Sequence, residues 1–106
     1  MNNETAEMEI AADFCVIVSD DSMEMSRILK GDRVYISETD NINDGDIIAA
    51  VIDNSLHLKR IYRDKEHRGL IFKADNPRYS PLILSESEAA NINILGKAVG
   101  FSSSAI

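Results

Sequence analysis

The sequence predicts a mostly β domain, built from small twisted antiparallel sheets that are partly closed, with one short helical turn after Ser22. Three observations lead there. Apolar, β-branched runs of strand length recur along the chain; Gly, Asp, Asn and Pro punctuate them at short intervals; and only SMEMSRIL, 22–29, carries helical spacing. About six or seven short strands with close turn signals fit an antiparallel architecture better than alternating strands and helices.

FCVIVS, 14–19, is the first such run, and 23–28 supplies the one or two helical turns. RVYIS, 33–37, alternates after the turn residues Gly31 and Asp32, and DIIAAVI, 46–52, follows a second turn, NDGD. AAVI and LHLKRIY flank Asp53-Asn54-Ser55, a loop of hairpin length and chemistry. LIFKA, 70–74, is a further strand, whereas NPRYSP, 76–81, holds both prolines and reads as irregular or as an edge. NINILGKAVGF, 91–101, is a long closing strand that Gly96 interrupts with a bulge or bend. The acidic start, 1–11, and the serine-rich tail, 102–106, read as flexible segments around one domain, 12–101.

A chain of 106 residues buries about 60 to 65% of its unfolded surface and needs no metal or disulfide staple. Its 11 basic and 18 acidic residues, a formal net charge of −7, argue against a phosphate-binding surface. If the protein acts on DNA, another segment must touch it. The lone Cys15 has no disulfide partner in the chain, fits a reducing cytoplasm, and reads as a small buried hydrophobe. No apolar run is long enough to span a bilayer, and 1–9 are acidic and polar where a signal peptide is basic and then apolar. His57 and His67 lack a ligand pattern around them, so neither a metal site nor a cofactor is expected. Asp44, Asp46 and Asp53 sit at turns, where aspartate bonds nearby backbone, and the mixed-charge RDKEHR, 63–68, reads as a solvated loop.

The candidate chemistry lies at Ser22 and Lys59, 37 residues apart. Ser22 ends a strand and precedes a turn, where a hydroxyl can be exposed and backbone N–H groups left open. Lys59 shares one face of its strand with His57 and Ile61, while Leu56, Leu58 and Arg60 take the other. A serine hydroxyl attacks an acyl carbon only if a base takes its proton, and a neutral lysine is one recurrent base. Neutrality at pH 7 requires the lysine pKa, ordinarily ~10.4, to fall by roughly 3 units through desolvation. Spacing alone leaves a capping serine and a snorkelling lysine as the simpler reading.

The segments ADFCVIVSDDSM, ILKGDRVYI, NDGDIIAAVID, LHLKRIY, NPRYSPL and ILGKAVG, in that order, resemble the C-terminal domain of LexA-like repressors, related phage repressors and UmuD-type proteins. The likeness covers about 12–101. Ser22-Met23, Gly31-Asp32 and Lys59-Arg60 occupy the places of that family's Ser-Met, Gly-Asp and Lys-Arg dipeptides. The resemblance implies Ser22 as nucleophile, Lys59 as general base, and the backbone N–H groups of Asp21 and Ser22 as oxyanion hole. It also implies a self-cleaving domain of a cytoplasmic repressor, in which an upstream loop, cut between Ala and Gly, folds into the cleft when a RecA filament on single-stranded DNA stabilises that state. The last strand, 91–101, would form a homodimer contact, and DNA would be read by a separate N-terminal helix-turn-helix domain.

Two departures accompany the match. The family usually has glycine where this chain has Asp20. A position needing φ > 0 would strain an aspartate, and a carboxylate on the Ser22 side within ~4–6 Å of Lys59 would raise its pKa by about 1–3 units, making Asp20 a candidate modulator. The chain also contains no Ala-Gly bond; Ala11-Ala12 lies too near Ser22 to loop back, which places the expected scissile bond upstream of Met1 and leaves the given chain intact at alkaline pH. A dimerisation or protein-interaction module muted by Asp20, and a UmuD-like polymerase accessory subunit, are the alternatives; a membrane signal peptidase ranks last.

Overall fold

The computed structural model describes residues 11–104, so most of the expected acidic segment and residues 105–106 lie outside the described residues. Seven strands form one antiparallel sheet: β1 (Phe14–Ile17), β2 (Arg33–Ser37), β3 (Ile47–Ile52), β4 (Ser55–Asp64), β5 (Gly69–Lys73), β6 (Leu82–Leu84) and β7 (Asn93–Ser102). Their order is β1-β2-β7-β3-β4-β5-β6, so the closing strand inserts between β2 and β3. A 3-10 turn, Glu24–Ser26, stands where helical spacing was expected, and a four-residue helix, α1 (Glu86–Ala89), precedes β7.

The strand breaks follow from backbone chemistry. Asp53 and Asn54 both take positive φ, 51° and 63°, and Ile52 pairs directly with Ser55. The hairpin is therefore a two-residue loop with both residues at positive φ, the primed geometry that matches strand twist, and Ser55 opens β4 rather than belonging to the loop. Two register shifts bend β7. Tyr35 pairs with Gly100 and Ile36 with Ala98, leaving Val99 over; Ala49 pairs with Gly96 and Ala50 with Ile94, leaving Leu95 over. Each bulge adds local twist and curls the sheet. Gly96 is required by close approach, since a Cβ there would stand 2.3 Å from the Ser37 carbonyl oxygen.

Because the sheet curls, it buries apolar side chains on both faces. One core joins Val16, Val18, Met23, Ile28, Val34, Ile36, Ala49 and Leu58; the other joins Ile48, Ala50, Ile61, Phe72 and Leu84. Alternation along β3 sends Ala49 to the first and its neighbours to the second, which is why IIAAVI is apolar throughout. β4 divides in the same way, Leu58 into the first core and Ile61 into the second.

Four features differ from the sequence reading. Cys15 is exposed, not buried, because β1 is an edge strand paired only to β2 and alternation turns Cys15 and Ile17 outward from Val16. The chain remains tied in beyond residue 101: Ser102 pairs with Arg33, and the Ser104 N–H donates to Asp32 Oδ1 at 3.0 Å. Asp32, buried, also accepts the Leu29 N–H at 2.8 Å; these two bonds, Leu29 first, hold its carboxyl below the usual carboxylate range. The Gly31-Asp32 pair is thus a clamp as well as a turn. Finally, β6 and α1 were not anticipated, although α1 carries a capping box in which Ser85 Oγ accepts the Glu88 N–H and Glu88 Oε1 accepts the Ser85 N–H.

Candidate active site

Ser22 is positioned by what surrounds it in sequence. The Val18 N–H and carbonyl bond the carbonyl of Asp32 and the N–H of Gly31, extending the edge past β1 before the chain turns. Met23, fully buried in the first core, then plugs the turn into the sheet, and Ser22 beside it is only 2% exposed. The Met23 carbonyl accepts the Ser26 N–H at 3.0 Å, which closes the 3-10 turn.

Two partners hold this loop from across the molecule. Asp75 accepts the Met25 N–H through its carbonyl and the Ser26 hydroxyl through its carboxylate. Arg60 of β4 donates to Asp75 Oδ2 at 2.8 Å, to the Gly45 carbonyl at 2.6 Å and to Ser26 Oγ at 3.1 Å. The arginine next to the candidate base therefore fastens the turn behind the nucleophile to the strand that carries the base. The segment after β5 grips Asp21: buried Asn76 donates to its carbonyl at 2.8 Å, Tyr79 donates to Oδ1 at 2.5 Å, and Arg78 pairs with Oδ2.

Asp20 faces Ser22, as alternation predicts. Its Oδ1 accepts both the Ser22 hydroxyl, at 2.7 Å, and the Ser22 N–H, at 3.0 Å, the geometry of an aspartate bonding backbone two residues ahead. Asp20 is not among the described residues with positive φ, so its backbone carries no left-handed strain. Burial pushes the Asp20 carboxyl up, but the two Ser22 bonds and the charges of Lys59 and His57 outweigh it and leave the group below its ordinary value.

Lys59 is half-buried on β4 opposite Ile48, with Nζ 5.6 Å from the centroid of the Tyr79 ring. Burial pushes its pKa down; the Asp20 charge pulls the other way and does not cancel the effect. The Tyr79 hydroxyl is held above its ordinary value, first by its bond to Asp21 and then by burial and the nearby carboxylates. Among the described residues no hydrogen bond joins Lys59 Nζ to Ser22 Oγ. Asp20 links the two candidates, bonded to Ser22 and acting on Lys59 through its charge alone, since no ion pair joins it to Lys59 among the described residues. Of the two expected oxyanion donors, the Ser22 N–H is directed at Asp20 in this conformation.

A cleft of about 70 Å³ opens beside the hydroxyl, walled by Val16, Ile17 and Val18 on one side and by Leu56, His57 and Leu58 on the other. Such a site can seat a small apolar side chain next to a serine oxygen. No group of His, Cys, Asp and Glu that could hold a metal occurs among the described residues. No helix there is long and apolar enough to cross a membrane. Asn76, Arg78 and Tyr79 were not read as site residues from the sequence.

The family model for Peptidase S24-like proteins matches residues 3–99. The chain belongs to that family. A LexA repressor of Clostridium botulinum is 38% identical over 87 residues, 82% of this chain and 40% of the relative. A LexA repressor of Anaeromyxobacter dehalogenans is 36% identical over 83 residues, 78% of this chain and 36% of the relative. The S24-like domain thus spans about two fifths of the length of the curated repressors it matches.

Proposed function

We propose that this S24-like domain is the self-cleavage and dimerisation part of a LexA-like or phage-type transcriptional repressor, in which Ser22 and Lys59 hydrolyse a peptide bond upstream of Met1. The observation that carries the reading is a buried serine hydroxyl at the head of an apolar cleft, with a lysine, its burial favouring the neutral amine, on β4, the strand whose Leu56, His57 and Leu58 wall that cleft. Neutral Lys59 takes the hydroxyl proton as Oγ bonds the scissile carbonyl carbon; the resulting ammonium returns the proton to the leaving amine, and water then releases the acyl group. Backbone N–H groups of Asp21 and Ser22 stabilise the oxyanion once the loop opens to substrate.

On this reading the partners are a second copy of the chain and an activated RecA filament, in the cytoplasm. DNA is contacted only by a separate N-terminal helix-turn-helix domain. The dimer contact uses a face of β7, since both its edges are paired inside the sheet, and its Val99 and Phe101 side chains are exposed. A dimerisation or protein-interaction module of the same fold, its catalytic pair muted, is favoured by one observation, the Asp20 carboxylate on the Ser22 hydroxyl.

The test is a mass-spectrometric time course, from pH 7 to 10, on the chain extended upstream of Met1, with Ser22→Ala beside it. We expect a discrete fragment from the wild type and none from Ser22→Ala. An extended wild type that stays whole through pH 10 with activated RecA present would leave only the dimerisation reading.

A further inference from the structure

We propose that Asp20 is a positioning residue that latches the site shut, its carboxylate occupying the nucleophile and one oxyanion donor together, so that cleavage requires Asp20 to swing away from Ser22. This rests on the Ser-Lys reading of the site. A single oxygen, Oδ1, takes the hydroxyl at 2.7 Å and the Ser22 N–H at 3.0 Å. Acyl transfer needs both groups elsewhere: the hydroxyl proton directed at an amine, and the N–H directed at the developing oxyanion.

Asp20 is not a substitute base. An ionised carboxylate is a far weaker base than a neutral amine, and here it is weakened further, because the Ser22 bonds and the charges of Lys59 and His57 outweigh its burial. The Ser22–Asp20 bond is therefore a resting bond. The latch also acts on Lys59. The Asp20 carboxylate, from the β1–β2 connection, acts on that amine through its charge, the Tyr79 ring, from the segment after β5, lies 5.6 Å from Nζ, and His57 shares its face of β4 by strand alternation. Tyr79 and Arg78 both bind the Asp21 carboxylate, so the carboxylate left to favour the ammonium is Asp20. Moving or neutralising Asp20 frees the hydroxyl, frees the N–H and makes the lysine easier to deprotonate. A glycine at position 20 would provide no such hold.

The experiment follows self-cleavage of the full-length protein, from pH 6 to 10, for wild type, Asp20→Gly, Asp20→Asn and the double variant Asp20→Gly with Lys59→Ala. Thermal melts identify any variant that fails to fold, and Asp20→Asn keeps the side-chain shape if Asp20→Gly does not. Both single variants should cleave about tenfold or more faster at pH 7, the scale of one hydrogen bond to a charged group. The midpoint of their pH profiles should move down by about 1 to 3 units, a shift that a purely structural role would not produce. Folded variants no faster than wild type, with an unmoved profile, would overturn the latch while wild-type cleavage upheld the Ser-Lys reading. Fast cleavage by the double variant would instead overturn Lys59 as the base. No cleavage by any version would reject both.

Discussion

Replacing Lys59 by alanine is expected to lower the rate of upstream cleavage by about four orders of magnitude, the usual loss when one member of a nucleophile-base unit is removed. The same substitution should flatten the pH profile. Lysine is a base only when neutral, and burial places the folded pKa of Lys59 below the ordinary value, with Asp20 opposing but not reversing the shift. Below that lowered value the neutral fraction grows about tenfold per pH unit, so the wild-type rate should climb with pH and level off once the amine is neutral. Lys59→Ala should show no such climb. Single-turnover rates measured by mass spectrometry on the extended chain check both effects, and a Lys59→Ala rate within a few-fold of wild type would contradict the assignment.

Met23→Ala should produce a large loss of stability. Met23 is fully buried among Val16, Val18, Ile28, Val34, Ile36, Ala49 and Leu58, and truncating such a side chain costs about 2 to 5 kcal/mol. Against a total of about 5 to 15 kcal/mol for a small domain, that is a large share. Site geometry should fail with it, because Met23 anchors the turn whose preceding residue is Ser22. Met25, two residues on and 70% exposed, is the control, and Met25→Ala should change stability little. Urea denaturation of both variants distinguishes a specific plug from a general need for methionine in this loop. Equal midpoints for the two variants would contradict the packing argument.

Much of the sheet was legible because strand length, β-branching and turn chemistry are local signals. Asp53 and Asn54 reported the hairpin, and Gly96 reported a bulge whose reason is contact with the Ser37 carbonyl. β6 escaped because it is three residues long and follows Pro81. α1 could have been found from the Ser85 and Glu88 spacing. Cys15 was misread because an apolar run does not reveal which of its faces an edge strand gives to solvent.

The site divides in the same way. Strand alternation put Asp20 on the side of Ser22, and the geometry agrees. The direction of its hold on the Ser22 N–H was not legible, since that depends on the turn the chain makes after β1. Asn76, Arg78 and Tyr79 lie more than fifty residues from Asp21, and no local pattern links a proline-bracketed segment to a loop at the far end of the sheet. Arg60 was visible as half of a Lys-Arg dipeptide, but its grip on Asp75, Gly45 and Ser26 appears only once the strands are paired.

The central claim is that Lys59 can serve as a neutral amine beside Ser22. The most direct test is an NMR titration of all five lysine side chains in this chain, followed at Cε and Nζ and assigned by a Lys59→Arg variant. Lys59 is expected to lose its proton at a pH below the ordinary lysine value. A Lys59 that titrates at or above that ordinary value would contradict the assignment.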